Sequence, residues 1–171
     1  TIDVLYRVHR LVALVTDLPT LLHSIMEESK QVAQAEACAL ILYDRIAGDL
    51  YFEVALGESG DQGALKREVR LNLGQGIAGT AAQTRQSINV PDARTDPRFF
   101  KQADEASRFV TRSLLAIPLI DRDALIGVIE VVNKVGGGAF SVADLHVMEM
   151  FGSLVATSIA NARLIEENLR A

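Results

Sequence analysis

The residues whose types and spacing best suit chemistry are Leu73-Gly74-Gln75-Gly76-Ile77-Ala78-Gly79-Thr80. An alternating strand pattern from Glu68 to Leu73 runs into a glycine turn, and a short apolar helix opens directly after it. The first turn of a helix carries backbone N–H groups with no intrahelical acceptor. Together with the helix dipole they form a site for an anion. Small residues at the same place let a ligand approach the backbone closely. The letters Gly74-x-Gly76-x-x-Gly79 also match a dinucleotide fingerprint. That reading fails on context, because no βαβ unit with a parallel partner strand follows.

Signatures of catalysis are missing. The chain has no HExxH, no GxSxG, no phosphate-binding loop of the Walker type and no cysteine beside a histidine. Its three histidines, His9, His23 and His146, fall on terminal helical segments away from the glycine turn and read as ordinary helix residues rather than ligands. The single cysteine, Cys38, sits in an apolar strand pattern and reads as a small buried hydrophobe; one cysteine builds neither an internal disulfide nor a cysteine-based metal cluster. The sequence therefore predicts a non-enzymatic domain with no catalytic residues and no metal site.

A net charge of −5 argues against broad nucleic-acid or anionic-membrane binding. Residues 85–112 are locally basic through Arg85, Arg94, Arg98, Lys101, Arg108 and Arg112, against Asp92, Asp96, Asp104 and Glu105. This stretch reads either as a solvated basic face or as the surroundings of an anionic ligand. No signal peptide is visible and no apolar run reads as a membrane span, so a cytoplasmic location is expected. The first residue is threonine, and the expected setting is one segment of a longer parent chain.

The 171 residues suit one domain. Ile2, Leu5, His9 and Val12 repeat at helical spacing, widened by Leu11 and Val15, which predicts an amphipathic helix over 1–16. Asp17-Leu18-Pro19 breaks it, and a second helix follows to about Val32. Strands are predicted over Ala37 to Tyr43, Leu50 to Leu56 and Glu68 to Leu73, the first two paired through Gly48-Asp49. After the glycine turn come a helix from Ile77 to Thr84 and a short strand from Ser87 to Val90. The polar connection 91–112 contains Asp96-Pro97-Arg98, which reads as a helix start with Asp96 as N-cap. A connection of this length is more often functional than idle. Strands from Ser113 to Ile120 and Ala124 to Asn133 form a hairpin over Asp121-Arg122-Asp123. A long helix from Ser141 to about Leu169 closes the chain. Its Met148, Phe151, Val155, Ser158, Ala162, Ile165 and Leu169 repeat at heptad a/d spacing; such a seam either packs on the sheet or, as its length and the similar stripe on the first helix favour, makes a homodimer through the terminal helices. The order of elements reads as α+β, an antiparallel sheet covered by helices.

Three motifs in order, Gln75-Gly76-Ile77-Ala78-Gly79, Ile88-Asn89-Val90-Pro91-Asp92-Ala93 and Asp96-Pro97-Arg98-Phe99, resemble the core of a GAF domain, and the resemblance extends from about Thr20 to Ile165. It is closest to the cyclic-nucleotide-binding GAF domains of phosphodiesterases and bacterial adenylate cyclases. Their signature of Asn-Lys, a spacer, Phe, three residues and Asp-Glu is matched by Asn133-Lys134, Phe140 and Asp144, with Leu145 in place of the final glutamate. The resemblance implies a six-stranded antiparallel sheet with helices on both faces and long terminal helices. It divides the chain into a helix over 1–16, a sensor core over 17–140 and a helix over 141–171. It also implies pocket positions: the backbone of Ile77 and Ala78 against a phosphate, then Phe100, Asp104, Ser107, Thr111 and Glu130 around the ligand. Asn133, Lys134, Phe140 and Asp144 are implied to be structural, with Lys134 tied to Asp144.

Each position has a plainer reading beside this one. Phe100 suits a core, Asp104 and Ser107 suit a solvated loop, and Thr111 suits a strand entrance. Glu130, between Ile129 and Val131, faces either solvent or a polar pocket. Asp144 also completes a capping box with Ser141. On the base side, the positions implied to read a purine are Ala39, Ala55 and Leu56, which cannot hydrogen-bond, so cyclic AMP or a more apolar molecule is favoured over cyclic GMP. The reducing-enzyme and bilin-binding GAF types need cysteines that this sequence lacks. The expected function is a regulatory sensor that binds a small molecule, with no fixed cofactor, and signals through its terminal helices to an output domain of the same parent. The rival expectation is a ligand-free dimerisation scaffold.

Overall fold

The computed structural model describes residues 2–5, 18–57, 69–107 and 109–170. Six strands form one antiparallel sheet: β1 (Ala35–Asp44), β2 (Asp49–Gly57), β3 (Arg70–Asn72), β4 (Ile88–Val90), β5 (Leu114–Asp121) and β6 (Ala124–Lys134). Their order across the sheet is β3-β2-β1-β6-β5-β4. Helices α1 (Leu18–Ala33) and α4 (Val142–Arg170) cover one face, while α2 (Gly76–Thr84) packs on β5 and β6 from the other. A short helix α3 (Lys101–Ser107) lies in the connection between β4 and β5. The expected α+β architecture with helices on both faces is what the chain adopts.

Strand alternation divides the interior into two cores. Cys38, Leu40, Leu42, Leu115, Ile117, Ile129 and Val131 face α1 and α4. Ala39, Ile41, Leu114, Ala116 and Val128 face α2. Cys38 lies in the first core with its thiol pKa pushed up to about 12 by burial, an inert side chain as expected. The β5–β6 hairpin turns on Arg122 and Asp123, both at positive φ, and the Arg85 guanidinium braces it by donating to the Asp123 carbonyl at 2.7 Å.

Three expectations need correction. Asp96-Pro97-Arg98 does not start a helix. Asp96 accepts from its own neighbourhood, Arg98 N–H at 2.9 Å and the Arg98 guanidinium at 2.7 Å, which makes a turn, and the helix starts only at Lys101. The heptad seam is not free along its length, because Met148, Phe151, Val155 and Ser158 are buried in the domain's own first core or beside it, whereas Ile165 is 61 % exposed. The stretch Val142–Ile165 is also long and apolar enough to cross a membrane by length and composition, contrary to the sequence reading. Within it, Met148, Phe151, Val155 and Ile159 are buried in the first core, while Val142, Met150, Leu164 and Ile165 are exposed. Of the predicted helix over 1–16, residues 2–5 are helical; the remainder, with His9, lies outside the described residues, as do Glu68 and Arg108.

Candidate functional site

The glycine turn is fixed by backbone rather than by side-chain capping. Gln75 stands at the N-cap of α2 but turns its side chain back, accepting the Asn72 N–H at 3.0 Å. The Gly74 N–H donates to the Gly79 carbonyl at 2.8 Å, and the Gly79 N–H closes the first helical bond to the Gln75 carbonyl at 3.1 Å. The N–H groups of Gly76, Ile77 and Ala78 have no acceptor among the described residues. Ile77 and Ala78 are buried, so these donors are held rigidly at the end of the helix dipole.

Phe100 lies directly over that helix start. A Cβ added to Gly76, which has φ of +70°, would sit 2.8 Å from the Phe100 Cβ. Glycine is what lets the connection between β4 and β5 close down on the helix end. Phe100 also packs against the second core, which is its plainer reading.

Beyond Phe100 the connection is locked by one carboxylate. Asp104 accepts the Thr111 hydroxyl at 2.6 Å on one oxygen and the Thr111 N–H at 2.8 Å on the other. Thr111 is buried and spends its hydroxyl proton on Asp104, so a ligand meets this threonine only through the oxygen lone pairs. The Ser107 side chain lies outside the described residues.

Register decides the direction of Glu130. It pairs with Ala39 of β1 and Ala116 of β5, and Ala39 in turn pairs with Ala55 of β2. This row, Ala55-Ala39-Glu130-Ala116, runs across four strands on the α2 face. Glu130 therefore points to the α2 face of the sheet, within reach of the Asp104 charge. Methyl groups flank the carboxylate on both sides. Burial first, and the charge of Asp104 second, push its pKa up to about 7.

The same register removes Leu56 from the site. It pairs with Cys38 and packs in the core under α1 and α4, so of the supposed base readers only Ala39 and Ala55 lie on the α2 face with Glu130. Three arginines of the basic stretch are paired with carboxylates away from Glu130: Arg94 with Asp92 at 3.3 Å, Arg98 with Asp96 at 2.7 Å and Arg112 with Glu36 at 2.7 Å. The solvated-face reading suits these three.

Asn133 and Lys134 both make their contacts within the protein. Lys134 Nζ lies 3.1 Å from an Asp144 oxygen, donates to the Ala33 carbonyl at 3.1 Å and stands over the Phe140 ring. Asp144 accepts the Ser141 N–H at 2.8 Å while its own N–H donates to the Ser141 hydroxyl at 3.0 Å, a reciprocal capping box. Burial pushes the Asp144 carboxyl upward, but the Ser141 N–H and Lys134 outweigh it and hold the pKa below the usual carboxylate range.

Glu36 and Arg112 are the participants that the sequence did not reveal. The Asn133 side chain accepts from the N–H groups of Arg112 at 2.6 Å and Ser113 at 3.1 Å. It donates to the Val110 carbonyl at 2.9 Å and to Glu36 at 3.3 Å, and Glu36 also takes the Arg112 guanidinium. Nothing in the local pattern around Glu36 marks it, since its partners are 76 and 97 residues away.

Comparison with known proteins agrees with this geometry. The family model for the GAF domain matches residues 17–159. A probable 3′,5′-cyclic phosphodiesterase from Caenorhabditis elegans is 24% identical over 163 residues, covering 92% of this chain and 22% of its own length. A dual 3′,5′-cyclic-AMP and -GMP phosphodiesterase 11A from Takifugu rubripes is 30% identical over 155 residues, covering 86% of this chain and 17% of its own. The chain thus spans less than a quarter of either relative. Among solved structures, the GAF domain of a phosphoenolpyruvate-protein phosphotransferase from Coxiella burnetii superposes with a TM-score of 0.84 at 20% identity, over 97% of this chain and 96% of that one. A free methionine-R-sulfoxide reductase from Neisseria meningitidis superposes at 0.77 and 19% identity, over 95% and 89%, so the fold also carries an enzyme. On the family match, the sheet order and the motif positions together, the chain belongs to the GAF domain family.

Proposed function

We propose that this domain is a non-enzymatic sensor which closes the 91–112 connection over a small molecule and passes the event to its terminal helices. The observation that carries the reading is the pairing of two unlike ends in one site. Among the described residues, three N–H groups, from Gly76 to Ala78, have no acceptor and no cation is paired with the carboxylate of Glu130, which lies beside Asp104. An occupant with an acidic or carbonyl end and a hydroxyl or amino end satisfies both.

A cyclic nucleotide has such ends, and the cyclic phosphodiesterases among the relatives support that version. Ala39 and Ala55 offer a base no hydrogen bonds, which favours cyclic AMP over cyclic GMP. In the cytoplasm of the parent's cell, two copies would pair through the outer end of α4, where Leu164 and Ile165 are exposed, and drive an output domain of the same chain.

Titration calorimetry with cyclic AMP and cyclic GMP tests this. The expected result is heat with cyclic AMP, a weaker response to cyclic GMP, and loss of both in Glu130→Ala. No heat and no thermal shift with either nucleotide up to about millimolar concentration, where affinity is only about −4 kcal/mol, would remove the cyclic-nucleotide version. The ligand-free scaffold is the alternative, and it predicts dimerisation that does not respond to any small molecule.

A further inference from the structure

We infer that the cavity where the β1–β2 turn meets the outer half of α4 is a second binding site, suited to a small phosphate monoester whose phosphate ties α4 to the sheet. Three elements build it. Strand β1 ends at Asp44, and the turn behind it carries Arg45. Tyr51 of β2 stands opposite Leu42 and packs on the core under α1 and α4. Arg163 reaches the same place from α4. The cavity measures about 370 Å³, within the range of small-molecule sites. Arg45 and Arg163 also line a neighbouring cavity of about 230 Å³, which extends along α4 to Leu125, Ile126 and Leu164 and adds Arg122, Asp121 and Glu167. Neither cavity shares a lining residue with α2 or the ground around Glu130.

Donors outnumber acceptors here. Among the described residues lining the larger cavity, three are arginines and one, Asp44, is acidic, in a chain of net charge −5. Arg70 is already committed. It donates to Asp49 at 2.7 Å and to Asp44 at 2.8 Å and stands 5.3 Å over the Tyr51 ring, which makes it a fixed wall. Arg163 is half-buried and has neither a hydrogen bond nor an ion pair among the described residues. Arg45 meets only Glu167, at 3.8 Å, and with those side chains 68% and 62% exposed such a contact contributes little. Burial first, then the charge of Glu53, push the Tyr51 phenol pKa up against the opposing charge of Arg163, so the hydroxyl keeps its proton; it too has no acceptor among the described residues. A guanidinium presents five N–H donors in a planar fork and does not lose its charge. Two such forks and a phenol on one cavity complement a group with several anionic oxygens on one centre. A phosphate monoester, close to dianionic at neutral pH, has the oxygens and the charge for all three, whereas one carboxylate has two oxygens and a single charge. Bridging Arg45 on the turn to Arg163 on the helix displaces Glu167 and pins the outer half of α4.

The chain has three tyrosines and no tryptophan, and Tyr43 and Tyr51 both line the cavity, so intrinsic tyrosine fluorescence reads its occupancy. Titration with inorganic phosphate and with ribose 5-phosphate, at ionic strength held constant with sodium chloride, is expected to give a saturable change at about millimolar concentration or below. Arg163→Gln is expected to weaken binding about tenfold, and Arg163→Lys, which keeps the charge and loses the fork, to recover part of it. Arg94→Gln, on the connection beside Asp92, leaves binding unchanged. Equal affinities identify the bare phosphate group as what is held. Ribose 5-phosphate binding about tenfold tighter identifies a monoester whose organic part enters the second cavity. With saturating phosphate, hydrogen–deuterium exchange over residues 160–167 is expected to slow about tenfold. A response that never saturates, or one that Arg163→Gln and Arg45→Gln both leave intact, overturns the site. Unchanged exchange in α4 at saturation overturns the tie to the sheet.

Discussion

Glu130→Gln is expected to stabilise the ligand-free domain at about pH 8 by about 2 kcal/mol, raising its melting temperature by about 5 °C, with the gain vanishing near pH 4.5. The sign follows from the raised pKa. In the unfolded chain this carboxyl ionises in the ordinary glutamate range, near 4.5; in the folded domain it keeps its proton up to about 7. Between those values the folded state binds more protons than the unfolded state, so folding weakens as pH rises through that window. The full difference of the two pKa values corresponds to about 3 kcal/mol. A glutamine retains a polar amide in the same place, which reduces the gain. Asp104 is the charged group acting on Glu130, and the flanking positions on β1 and β5 are Ala39 and Ala116, so among the described residues no compensating ion pair is lost in the variant. Thermal unfolding of both proteins from about pH 4.5 to 8 checks the window. An unchanged pH profile would mean that the Glu130 carboxylate is solvated and not part of a desolvated site. A residue that weakens the folded state where it stands is the usual signature of a position kept for binding.

The direction of Glu130 also shows where sequence reading stops. Its identity between Ile129 and Val131 raised the question of pocket or solvent, but only register answered it. A strand's parity relative to its neighbours is set by pairings many residues away. The same parity put Leu56 on the opposite face from the position its alignment implied. Elements bounded by local chemistry were legible: the β5–β6 hairpin, the Ser141-Asp144 capping box and the helix after the glycine turn stand where turn residues and caps put them. Asp96 was misread because an aspartate before a proline caps a helix or closes a turn with the same atoms, and here Arg98 N–H was its partner. The heptad pattern on α4 was real, but a seam of that period satisfies a sheet as well as a second helix, and Met148 and Phe151 are buried in the first core of the sheet. The Asn133 hub was half legible. Its motif marked it as structural, while the partners that make it a hub lie on segments brought together only by the completed sheet.

Gly79→Ala provides the sharpest test of the site's construction, because helix propensity and packing predict opposite signs. Gly79 lies inside α2 with no positive φ, and an alanine there favours the helix by about 1 kcal/mol. Against this, the added Cβ would lie 2.5 Å from the Asn72 carbonyl oxygen, with Gly74 backbone atoms just beyond. These are backbone atoms of β3 and the glycine turn, not the mobile end of a side chain, so no rotamer change relieves the contact. Relief comes only by parting α2 from the end of β3. That breaks the bond from Gly74 N–H to the Gly79 carbonyl and moves the Ile77 and Ala78 amides away from the ground beneath Phe100. The expected net effect is a loss of about 2–3 kcal/mol in denaturant unfolding, with the slope unchanged. Gly76→Ala places its Cβ against Phe100 instead and adds the cost of φ at +70°. It is expected to loosen the connection over the site more than the helix itself, visible as faster exchange in α3 with smaller loss of global stability. If Gly79→Ala raised stability, the turn would be a tolerant loop and the amides of α2 would not be held for an acceptor. A loss in both variants, divided between the helix in one and the connection in the other, places the two glycines where the fold needs them: one to seat the donors and one to let the cover close.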